Sequence, residues 1–160
     1  MDPRIHLHLF DSLAEEGETA VYEKTATPYP EKISESDLAK LAKENRYLDK
    51  VLKYFNKKVN EDRETTPQWF FYKYILQTLI EIGGQAKRNK IIEIVFQKAR
   101  SFLRKGDYET MSSGPIRWSN RLAWAGHDLS LAGCIEIGHG IWRITPLGEK
   151  VYEVKSAERF

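Results

Sequence analysis

The sequence predicts a mainly α-helical protein with a small β-hairpin, and three observations predict it. Trp118, Leu122, Ala125 and Leu129 recur at helical spacing, which puts them on one face of a helix that Gly133 ends. Ile135 and Ile137 then alternate with Glu136, Gly138-His139-Gly140 turns, and Ile141 to Thr145 returns as a second strand. Pro146 cannot donate to a ladder, so the hairpin stops there. Two more amphipathic helices precede this unit. A helix followed at once by a two-stranded hairpin is how a winged helix-turn-helix closes, and here a long N-terminal helix comes before it.

Taken in order, residues 1–33 read as an irregular arm with a short strand. Arg4 to Phe10 alternates apolar residues with His6 and His8. Two histidines at i and i+2 could ligate a metal, but no third ligand is visible and solvated histidines on an edge strand are the better reading. Residues 11–33 hold Gly17, Pro28 and Pro30 and show no periodicity.

Residues 34–65 read as an amphipathic, heptad-patterned helix. Ser34 and Asp37 form a capping-box pattern at its start. Leu38, Leu41, Asn45, Leu48, Leu52 and Phe55 follow at spacings of three and four, the seam of a coiled coil with Asn45 in an a-type place. The seam either packs on the chain's own domain or joins two copies as a homodimer.

Residues 66–155 form the winged-helix domain. Thr66 caps its first helix and Pro67 takes the first helical position. Tyr72, Leu76 and Leu79 share a face, and Gly83-Gly84 stops the helix. Gln85 to Arg88 is a turn. Ile92, Phe96, Ala99 and Leu103 mark the next helix, which Gly106 ends, and residues 107–115 loop into the helix described first.

Bulk properties narrow the function. The single cysteine, Cys134, excludes a disulfide framework and a Cys-rich zinc site, and fits a cytoplasmic protein. No apolar run reaches membrane-span length and no signal-peptide pattern opens the chain. Residues 1–65 carry 11 Lys and Arg against 14 Asp and Glu; residues 66–160 carry 14 against 9. The winged-helix half is thus the basic half, which favours an anionic partner.

The stretch from Arg117-Trp118 through Trp124-Ala125, Ala132-Gly133, Gly140, Trp142-Arg143-Ile144-Thr145 and Gly148 resembles the winged-helix domain at the N-terminus of Mrr-type restriction proteins. The resemblance covers roughly residues 72–152. Gly126 inside the helix and Cys134 where an apolar residue is common depart from the pattern. The resemblance implies double-stranded DNA as partner, a place in a restriction or defence system, sensing of modified cytosine, and a nuclease domain or subunit alongside. Mrr-type enzymes cut with a separate domain built on an acidic residue and a Glu-x-Lys pair. Glu153-Val154-Lys155 matches that triplet by chance, with no room for a nuclease fold after it.

The expected DNA-binding residues follow from base and phosphate chemistry. Arginine pairs with guanine and asparagine with adenine through two parallel hydrogen bonds. Arg117, Ser119, Asn120 and Arg121 start the helix that enters the groove in this fold class. Lys87, Arg88 and Lys90 start the preceding helix, where amides and cations meet phosphates. His139 tips the short wing and Arg143 lies beside it. Ion pairs of Arg121 and Arg143 with Asp128 or Glu136 are the plainer alternative. No phosphate loop, zinc signature or nucleophile elbow is present. The expectation is a non-enzymatic binding module without cofactor or metal. The second expectation is a protein-interaction winged helix that dimerises through residues 34–59.

Overall fold

The computed structural model describes residues 32–158. The strand expected at Arg4 to Phe10, with His6 and His8, lies outside them. Among the described residues, six helices and three strands run in the order α1 (Glu35–Glu44), α2 (Arg46–Tyr54), α3 (Tyr72–Glu81), β1 (Gln85–Lys87), α4 (Arg88–Ala99), α5 (Arg117–Leu131), β2 (Ile135–Gly138), β3 (Ile141–Ile144) and α6 (Pro146–Ala157). Short 3-10 turns occupy Gln68–Phe71, Arg100–Phe102 and Lys105–Tyr108. The molecule is mainly helical with one small antiparallel sheet, ordered β1-β3-β2. The order α3, β1, α4, α5, β2, β3 is that of a winged helix-turn-helix.

The long N-terminal helix is in fact two. Ser34 and Asp37 do form the capping box that opens α1, and the hydrogen bonds from Ser34 hold the Asp37 carboxyl below the usual carboxylate range. Asn45, however, adopts an extended backbone (φ −128°, ψ 104°) and breaks the run. Its Oδ1 accepts from the amides of Tyr47 and Leu48, and its Nδ2 donates to the carbonyl of Leu131 at 3.0 Å. Asparagine competes with helical backbone for these bonds, so it serves better as a cap than as a seam residue. The seam is not one stripe: Leu38, Leu48 and Phe55 are buried, Leu41, Asn45 and Leu52 are half-buried, and helix ends at Tyr54. α1 packs on α6 and α2 on α5, within the same chain.

Other elements also differ from the expectation. Thr66 caps no helix: its amide and hydroxyl both donate to the buried Asp107 carboxylate, at 2.7 and 2.6 Å. Asp107 also accepts from the Arg104 amide, which fastens the start of the family-like half to the loop before α5. Gln85 to Lys87, expected as a turn, pairs with β3 as a third strand. α6 was not anticipated; Thr145 accepts from the Gly148 amide and Pro146 takes the first turn, a start signal present in the sequence.

Packing explains the glycine inside α5. Trp142, 1% exposed, fills the space beside Gly126, where a Cβ would lie 2.3 Å from the ring. Any side chain there collides with the tryptophan that holds the sheet on the helix. Trp118, by contrast, is only half-buried and stacks on Phe96 with centroids 4.4 Å apart. The core runs from Leu48 and Val51 through Phe71, Ile75, Leu79, Ile91 and Leu129 to Leu147, all fully buried. Buried at its edge, the Asp128 carboxylate accepts from the Tyr72 hydroxyl (2.5 Å) and Gln68 (2.7 Å), and Lys50 lies 3.7 Å away.

Candidate nucleic-acid interface

The fold sorts the expected DNA-binding residues into two groups. The first gathers where β1 runs into α4, at a corner it shares with the hairpin. Lys87, the last residue of β1, stands opposite Ile141 on β3. The next amide, of Arg88, donates to the Gly140 carbonyl at 2.8 Å, so the start of α4 is tied to the tip of the wing. The tip turns through His139 at φ 53°, in the left-handed region, with glycines on both sides of it. Arg143 lies on the central strand between Gln85 on β1 and Glu136 on β2, and its Nε donates to Gln85 at 3.1 Å. Lys87, Lys90, His139 and Arg143 are exposed and Arg88 is half-buried. Lys87, Arg88, Lys90, His139 and Arg143 therefore occupy one corner built by backbone pairing.

The second group, at the start of α5, faces a different task. Arg117 donates from Nε to the Gly106 carbonyl (3.2 Å) and lies 3.7 Å from the Glu109 carboxylate. Arg121 donates to the Thr66 carbonyl at 2.6 Å. Burial, then the neighbouring Arg117 charge, lowers the Arg121 pKa. Asn120 is 7% exposed and Ser119 is half-buried. The expectation that Asn120 and Arg121 point out of the core is corrected: one is buried and the other holds the backbone before α3. The cause is the loop segment between α4 and α5. It lays the 3-10 turn at Lys105–Tyr108 and residues 64–66 against the first turns of α5, and the polar side chains there satisfy its carbonyls. Of the plainer alternatives, Arg121 takes the Thr66 carbonyl as its hydrogen-bond partner, while Arg143 bonds Gln85 and stands opposite Glu136 in the ladder.

The two groups lie apart. The stack of Phe96 on Trp118 seats the start of α5 against the later half of α4, roughly 12 Å along that helix from Arg88. The loop before α5 is itself a small hairpin. Thr110 bridges Ile116, Met111 donates to the Pro115 carbonyl, and Gly114 (φ 113°) donates back to that of Met111. Gln85, the partner that orients Arg143, was missed by sequence reasoning because a three-residue strand carries no usable periodicity.

Other chemistry is sparse. Cys134 is fully buried and its thiol is pushed up to about 12 by burial, which makes it inert rather than nucleophilic. Among the described residues no group of His, Cys, Asp and Glu could hold a metal ion, and no helix is long and apolar enough to cross a membrane.

No curated protein and no solved structure matches the chain. The family model of the Mrr N-terminal domain matches residues 70–153, more than half of the chain, from α3 into α6. The sheet, the wing corner and the glycine-tryptophan contact all fall inside that span, and the chain belongs to the Mrr N-terminal domain family.

Proposed function

We propose that this chain is a double-stranded DNA-binding module of a restriction or defence system, and that it grips DNA through the wing corner. The observation that carries the reading is the corner itself: Lys87, Arg88, Lys90, His139 and Arg143 are brought to one place by the β1–β3 ladder and the Arg88–Gly140 bond. Cations beside a helix start suit phosphate oxygens, and a wing beside them suits the backbone flanking a groove. The start of α5 is not the grip on this reading, because Arg117 and Arg121 hold carbonyls of their own chain. Base reading would then fall to the half-buried side chains of α5 and to groove shape, with modified cytosine as the feature sensed and a nuclease domain or subunit as the partner that cuts.

The test is fluorescence anisotropy on random duplexes, with and without cytosine modification, across a salt series. Affinity should fall with salt at a log–log slope of roughly −0.9 per phosphate neutralised. Alanine at Lys87 or Lys90 should weaken every duplex alike and flatten that slope by about one. Absence of binding at low salt would leave the protein-interaction reading instead.

A further inference from the structure

A second surface lies away from the wing corner and is made of rings. Tyr54, near the end of α2, stacks on Trp69 with centroids 5.3 Å apart. The next residue of the same 3-10 turn, Phe70, meets Tyr74 at 5.2 Å and Phe102 at 5.9 Å. The two stacks thus join at Trp69-Phe70. Four of the rings are half-buried, and Phe102 is 56% exposed, the most exposed large apolar side chain among the described residues. Phe102 adjoins Phe70, so its open face belongs to a ring patch rather than to a lone side chain.

Cations sit on these rings. The ammonium groups of Lys53 and Lys57 lie 5.6 and 5.0 Å from the Tyr54 centroid, and that of Lys73 lies 5.2 Å from Tyr74. Arg100 and Lys105 are exposed on either side of Phe102. Glu81 is paired with Lys98, and Glu61, Asp62 and Glu64 stand on the loop that Arg104 fastens through three backbone carbonyls. Phe102 lies past the C-terminal end of α4 and Lys87 just before its start, so the strip and the wing corner are about 18 Å apart.

The geometry points to this strip as a binding site for single-stranded DNA. The exposed Phe102 ring can stack on an unpaired base, and the lysines about the other rings can follow the phosphates. A duplex offers phosphates but keeps its base faces stacked inside, so it can use the cations and not Phe102. The site is independent of the wing corner.

The test measures anisotropy of the full chain with labelled oligo-dT of roughly 12 nucleotides. Binding of the strand should weaken on the order of tenfold in Phe102→Ala and in Phe102→Leu, which keeps apolar volume without a ring. Lys57→Glu, a change at an exposed position, should weaken it as well. Duplex affinity should stay unchanged in both Phe102 variants, and thermal melts establish that all three are folded. Lys87→Ala should leave the strand affinity intact. The assignment is overturned if the strand does not bind, if both Phe102 variants bind like the parent, or if Lys87→Ala removes strand binding. It is also overturned if oligo-rU binds tighter than oligo-dT, or if an acidic peptide displaces the strand at equal concentration. Loss of duplex binding alone would sink the wing-corner reading and leave this one standing.

Discussion

Tyr72 and Cys134 are both protonated groups sealed in the interior, and each keeps its proton beyond its ordinary range. Burial raises the Tyr72 pKa first, and its bond to the Asp128 carboxylate raises it further; burial alone raises that of Cys134. The unfolded chain releases these protons at their ordinary values, so above those values the native state binds more protons than the unfolded one. Their contribution to stability is therefore complete at neutral pH and declines as pH rises past 9.0 and again past 10.0. Thermal melts at rising pH should show that decline, and Tyr72→Phe should flatten its upper part. The same change should cost about 1.5–3 kcal/mol at neutral pH, because a buried carboxylate loses its shortest hydrogen bond. A Tyr72→Phe variant as stable as the parent would refute this account. Single residues were also where the sequence was hardest to read. Asn120 and Arg121 look like base readers by type and by place on the helix. Only the loop packed against them shows that one is buried and the other is bound to Thr66.

At the scale of elements, the periodicity of the apolar residues located the helices and the hairpin, because each must bury a face. It failed where one residue did two jobs. Asn45 fits a heptad seam by spacing alone, yet its amide caps α2 and reaches Leu131 at the end of α5. In a continuous coiled coil, Asn45→Leu would stabilise the assembly. Here it should cost roughly 1–2 kcal/mol, the range for a lost cap. Chemical denaturation gives that number, and sedimentation velocity should be the same before and after the change. A stabilised variant of larger mass would restore the seam as a dimer contact. β1 and α6 escaped the sequence reading for opposite reasons. Three residues are too few to show alternation, whereas α6 has a start signal in Thr145-Pro146, but that proline also reads as the end of the hairpin.

For the whole molecule, the family-matched span does not close its core alone. Leu48 and Val51 of α2 are fully buried in the same cluster as Ile75, Leu129 and Val151. The helices before residue 66 are thus part of the body that presents the wing, and the acidic and basic halves of the chain meet in one core. That the wing-bearing half is the basic half could be read from charge alone. How the cations divide between surface and interior could not, because that depends on carbonyls contributed by loops far away in sequence.

If the wing corner is the grip proposed above, the bond between Arg88 and Gly140 sets its reach on DNA. Strands of four residues extend only about 13 Å, and the tip is a single non-glycine residue fastened at its base to a helix. Such a stub cannot bend around a duplex to follow its far side. One copy should therefore cover one face of the double helix, for less than a turn of about 10 base pairs. Hydroxyl-radical cleavage should show a single protected patch on each strand, and protection extending around both faces would contradict a fixed wing. A footprint that short carries the information of only a few base pairs. On the proposed restriction role, discrimination between sequences then has to be assembled from more than one such contact.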